Sequence, residues 1–166
     1  MKAFLIRALF VAAICVTNRI DAGTVKYPEK DPLIRITIPS GWSMMWEKDG
    51  SLTCMPQNHS KYVSIIPSEN VSSKSQLSAQ LSKTARDAAS NAKMKDVRLG
   101  PIRETHSSGL SLMSIRAEGT IKGNAMAFTL AAFAPKTDYF TLIALEPAPA
   151  KDKEISTIIN SISGVR

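Results

Sequence analysis

LIRITIPSGW, residues 33 to 42, is the stretch from which the rest of the chain is read. Ile34, Ile36 and Ile38 alternate with Arg35 and Thr37. Successive side chains of a strand point to opposite faces, so this pattern predicts a strand with one face buried. Pro39 ends it, because proline offers no ladder N–H and disfavours helix in the residue before it. Ser40 and Gly41 then make a corner that Trp42 follows. A β-rich core begins here. The preceding residues 23 to 32 carry Pro28, Pro32 and several charges without an apolar period, and they read as a flexible lead-in.

Further upstream, residues 1 to 22 have the layout of a signal peptide. Lys2 and Arg7 supply the positive start, and residues 8 to 16 form an apolar run too short to span a bilayer. Ile20 and Ala22 place the cut before Gly23. Cys15 is not read as a lipid anchor, because Ile14 before it is too bulky for the usual attachment box. The expectation is an exported protein, periplasmic or secreted, with no transmembrane span after cleavage.

Cleavage leaves 144 of the 166 residues, a length that suits one domain, taken as residues 33 to 166. From residue 23 onward 18 Lys and Arg face 13 Asp and Glu, a net charge of about +5 that makes acidic partners plausible. Cys54 is then the single cysteine, so no internal disulfide forms and stability has to come from the core.

Downstream of Trp42 the pattern is strands, a helix, strands and a helix. Residues 43 to 47 and 51 to 55 flank Lys48, Asp49 and Gly50, a hairpin in which Asp-Gly supplies the positive φ angles. A short strand over 62 to 66 stops at Pro67. Ser73 and Gln76 form a capping box, and Leu77, Leu81, Ala85, Ala88 and Ala92 follow at helical spacing. Residues 97 to 104 read as a strand that Gly100 and Pro101 interrupt at a bulge or sheet edge. Residues 110 to 121 and 124 to 134 make a long hairpin turned at Lys122 and Gly123, and Ala125, Ala127 and Ala131 give its second arm a face suited to a close helix. Residues 139 to 145 are apolar on both faces, as a covered central strand requires. Ile155, Ile158, Ile159 and Ile162 form one stripe of a helix over 149 to 162, with Gly164 as its stop. The fold class is α+β: a central antiparallel sheet of about six to eight strands with two main helices packed on it.

This order of elements, with ITIPSGW at residues 36 to 42, a single mid-chain helix and DYFTLIAL at residues 138 to 145 before an isoleucine helix, resembles the PsbP-like fold family. That group includes exported bacterial DcrB-like domains. The resemblance covers about residues 33 to 162 and implies an α/β/α sandwich. It also implies a protein that binds or stabilises other proteins. No functional residue is carried over from it.

The residue inventory argues against catalysis. His59 and His106 are the two histidines. Cys54 and His59, with Met44, Met45 and Met55, are soft ligand types, but the cupredoxin pattern needs a second histidine upstream of Cys54, and the mature chain has none there. Cys54 instead reads as a small packed hydrophobe. His106, Ser107, Ser108 and Ser111 invite a small-hydrolase reading, but residues 109 to 113 lack the second glycine of a nucleophile elbow. There is no phosphate-binding glycine loop, no paired-cysteine zinc spacing and no base-stacking basic motif, so no nucleic acid is expected. No catalytic, cofactor-binding or metal residue is assigned and no cofactor is expected. The first reading is a non-catalytic accessory protein that binds another envelope or secreted protein. The second is a binder of an anionic polymer or lipid headgroup through Lys93, Lys95, Arg98 and Arg103, residues that an ordinary helix end and exposed strand face explain more simply.

Overall fold

In the computed structural model, which describes residues 23–68, 74–107, 110–134, 139–148 and 152–165, the opening isoleucines are placed as their alternation requires. Gly23–Tyr27 (β1) pairs antiparallel with Ile34–Ile38 (β2), and Ile34, Ile36 and Ile38 are fully buried. The flexible lead-in over 23 to 32 is corrected in its first half, which is this paired strand. The cause is Tyr27, which with the half-buried Val25 alternates against the exposed Thr24 and Lys26. It is fully buried, stacks on Trp46 at 5.5 Å and donates its hydroxyl to the carbonyl of Gly50 at 2.9 Å.

Trp42–Trp46 (β3) and Leu52–Pro56 (β4) form the first hairpin. Glu47 N–H donates to the Ser51 carbonyl at 2.8 Å, which leaves a three-residue loop whose positive φ (84°) falls on Gly50 alone. Asp49 instead accepts from Ser51 N–H at 3.0 Å. Tyr62–Ser68 (β5) runs one residue past Pro67 rather than stopping there. Lys74–Asn91 (α1) buries Leu77, Leu81, Ala85 and Ala88 as one stripe, and Ser73 of the expected capping box lies outside the described residues. The helix closes with Met94 N–H on the Ala89 carbonyl and Lys93 at φ 55°, the left-handed seat usually given to glycine.

Lys95–Leu99 (β6), Arg103–Ser107 (β7), Leu110–Ile121 (β8), Asn124–Phe133 (β9) and Tyr139–Pro147 (β10) follow, then the helix Lys153–Ser161 (α2) and the short strand Ser163–Gly164 (β11). The large sheet has eight strands in the order β3-β4-β5-β10-β9-β8-β6, with β7 also on β8, and every pairing is antiparallel. The small sheet is β1-β2-β11. Gly164, expected as a helix stop, pairs with Ile34 in it, and α2 already ends at its C-cap Ile162.

Each face of the large sheet carries its own core. On one, Leu77, Leu81 and Ala85 of α1 meet Ile115, Phe128 and Leu130. Helix α1 therefore takes the bulky face of β9 and not its alanine face: Ala85, Ala88 and Ala89 of the helix make the room that Phe128 and Leu130 fill. On the other face Phe133, Phe140 and Leu142 pack with the isoleucines of β2 and with Ile155, Ile158 and Ile162. That covering layer is a small sheet together with α2. Strand β10 lies between β5 and β9 and is buried on both faces, as its sequence requires.

Candidate functional site

The expected cations sit on the free edge of the large sheet. Lys95 and Arg98 are three residues apart, a spacing that puts side chains on opposite faces of a regular strand. A bulge cancels that. Lys95 stands opposite Thr120 and Arg98 opposite Glu118, so three steps on β6 answer two on β8, and Asp96 takes φ 54° within the irregularity. A second interruption at Gly100 and Pro101 has the same effect, since Arg98 to Arg103 is five steps against the four from Glu118 to Ser114. Directly opposed residues share a face. Lys95, Arg98 and Arg103 therefore leave the same face of the sheet as Arg116, along about 20 Å of edge at strand rise. Lys93, in the turn that closes α1, is not on that face.

Gly119 lets the bulge close. A Cβ there would meet the Lys95 carbonyl oxygen at 2.5 Å and Met94 Cγ at 2.7 Å, distances that no side chain tolerates. Val97, in the bulge between the cations, is 37% exposed and is the one exposed large hydrophobic residue among those described. Lys95, Arg98 and Arg103 are exposed and make no ion pair among the described residues, whereas Arg116 is half-buried and paired.

Arg116 opens a polar network that the sequence reading missed. Its Nε donates to Glu118 at 3.0 Å, and its Nη1 pairs with the carboxylate of Glu146, which is 2% exposed. Glu146 also accepts from the Asp152 N–H at 2.8 Å, and Asp152 caps α2 by accepting from the N–H groups of Glu154 and Ile155. Lys61 Nζ closes the chain at 2.6 Å from both Asp152 and Glu154, with the Trp42 ring 5.6 Å away. The network ties the start of α2 to the sheet.

Burial alone would raise the Asp152 carboxyl, but the hydrogen bond and charge of Lys61 with the two backbone N–H groups outweigh it and hold the group below its ordinary carboxylate value. A depressed carboxyl contributes stability above its unfolded value and loses it as pH falls through its folded value. Asp152→Asn keeps an N-cap but removes that titration. Its urea midpoint should therefore fall less than that of the unmodified protein between pH 7 and about pH 3, and parallel losses would contradict this assignment.

The other candidates are placed as follows. Cys54 is 2% exposed in the core beside Val63, and burial pushes its thiol up to about 12, as a packed hydrophobe. The exposed His106 stands opposite Ser111, but the Ser111 hydroxyl donates to Glu104 at 2.6 Å, and His106 Nε2 is 3.9 Å from that carboxylate. A hydroxyl held by a carboxylate is not the serine–imidazole pair that acyl transfer needs. Ser108 lies outside the described residues, as does the side chain of Ser107. No described helix is long and apolar enough to cross a membrane.

Neither a family model nor a curated protein matches the chain in sequence. Solved structures do match. The solution structure of cyanobacterial PsbP from Synechocystis sp. PCC 6803 aligns over 87% of this chain and 94% of its own at a TM-score of 0.64 and 15% identity. A crystal structure from Bacteroides thetaiotaomicron aligns over 81% of this chain at a TM-score of 0.57 and 11% identity, and the chain spans 46% of that protein's length. LpqN of Mycobacterium tuberculosis, involved in cell envelope biogenesis, aligns over 90% of this chain at a TM-score of 0.46 and 13% identity. The fold is PsbP-like, an α+β sandwich.

Proposed function

We propose that this chain is an exported, non-catalytic accessory protein of the cell envelope that holds an acidic segment of a partner protein on its β6–β7 edge. One observation carries the reading. The two strand irregularities bring Lys95, Arg98 and Arg103 onto one face of the free edge, and the exposed Val97, the residue before Arg98, leaves the other face at the same edge. A protein segment laid along that edge can meet both faces: the cations steer and orient it, and the apolar side chain adds contact that survives salt. The signal-like residues 1 to 22 support export, and the protein-binding role implied by the PsbP-like resemblance supports accessory work. The placement of Ser111, Glu104 and His106 supports binding rather than hydrolysis.

Capture of the partner from native envelope tests this, followed by titration of the captured protein. Lys95→Glu with Arg98→Glu should weaken binding by at least tenfold, about 1.4 kcal/mol, without changing the unfolding midpoint. Val97→Ser should weaken it as well. Binding that falls steeply with salt, as the screening length drops below about 8 Å, yet ignores Val97→Ser would favour an anionic polymer or lipid headgroup. An enzymatic activity abolished by His106→Ala would overturn both.

A further inference from the structure

Strand alternation splits the soft side chains of the first hairpin into two sets. Cys54 and Met44 are cross-strand partners, and both pack into the core under β2. Met45 opposes Thr53 and Met55 opposes Ser43, so Met45 and Met55 share the other face, in diagonal positions about 7–8 Å apart and within reach of long side chains. On that face Met45 and Met55 are half-buried, and the neighbouring Thr53 and Ser64 hydroxyls contact each other at 3.1 Å. The turn after β4 adds the third group. His59 N–H donates to the Pro56 carbonyl at 3.0 Å, and its φ of 50° turns the chain back. The exposed imidazole then lies over Met55, with Nδ1 2.9 Å from Sδ.

We propose that Met55 and His59, with Met45 as a third ligand, form a surface site for a soft monovalent metal ion, Cu(I) in chemical class. Three features of the hairpin support this. A thioether sulfur and an imidazole nitrogen already converge at the surface, where an ion can reach them. Thioether and imidazole together select Cu(I) over the hard cations, and Cu(I) is satisfied by few ligands. No group of three His, Cys, Asp or Glu side chains lies together among the described residues, so zinc is offered no comparable set. Ligand bonds of about 2.0 Å to nitrogen and 2.3 Å to sulfur require the two atoms to part by roughly 1 Å, which rotation of an exposed histidine supplies. The cupredoxin pattern fails here for want of a second histidine, and this site does without both that histidine and Cys54. It is also independent of the basic edge, since β3–β4 and β6–β7 are opposite ends of the sheet.

The test uses the full mature chain and Ag(I), a redox-stable soft probe, in chloride-free buffer, followed by methionine-methyl and histidine-ring NMR. One equivalent should shift the Met55 and Met45 methyls and the His59 ring together. Loss of a ligand should cost at least the roughly tenfold that even an outer partner is worth, so Met55→Leu and His59→Asn should each weaken binding by tenfold or more. Asparagine is chosen because it tolerates the left-handed backbone of this turn. Cys54→Ser should leave the affinity unchanged. Binding retained in the Met55→Leu, His59→Asn double variant would overturn the proposal. So would binding lost on Cys54→Ser, or Zn(II) held more tightly than Ag(I). Failure of Ag(I) to bind would overturn it and leave the basic-edge reading untouched.

Discussion

Arg116→Met should lower stability by about 3–5 kcal/mol in urea or guanidinium titration. Removing the guanidinium strands the Glu146 carboxylate, 2% exposed, with the Asp152 N–H as its remaining partner among the contacts described. An uncompensated buried charge costs more than the net worth of the pair it came from. Two comparisons isolate the cause. Glu118→Gln removes the solvent-exposed partner of the same arginine and should cost under about 1 kcal/mol. Arg116→Met combined with Glu146→Leu should recover most of the loss, because two apolar side chains replace the pair. A single variant no worse than Glu118→Gln would mean that Glu146 is not dependent on Arg116.

Ile158→Ala should follow closely, at about 2–5 kcal/mol. Ile158 is fully buried, on a helix whose stripe packs against the isoleucines of β2. The neighbouring Lys153 is exposed on the same helix, so Lys153→Ala should be nearly silent. Equal small effects would make α2 peripheral and would detach the small sheet from the core.

These two residues differ in how legible they are. Ile158 belongs to a stripe at helical spacing, and the spacing alone puts it inside. Arg116 and Glu146 are 30 residues apart on strands separated by β9, and no local pattern joins them. The first hairpin, the covered strand β10 and the leucine-to-alanine stripe of α1 were likewise readable, because each is a local period or a turn signal. Strand β1 was not, since Val25 and Tyr27 give an alternation only two apolar positions long, directly before Pro28. Which face of β9 takes α1 was not legible, because the helix supplies its own alanines and so fits the bulky face with Phe128 and Leu130. Part of the basic edge was visible as composition. Its geometry was not: at spacings of three and five, Lys95, Arg98 and Arg103 alternate between faces on any regular strand, and their pairing with β8 is what brings them together.

The most direct test of the binding account places a photo-crosslinking amino acid at Val97, with a control at the exposed Lys153, and irradiates the protein in its native envelope. The account predicts one protein adduct from position 97, mapped to an acidic segment of the partner, which Lys95→Glu with Arg98→Glu abolishes and position 153 does not yield. Equal adducts from both positions, or an adduct from position 97 that persists when the two cations are reversed, would contradict it.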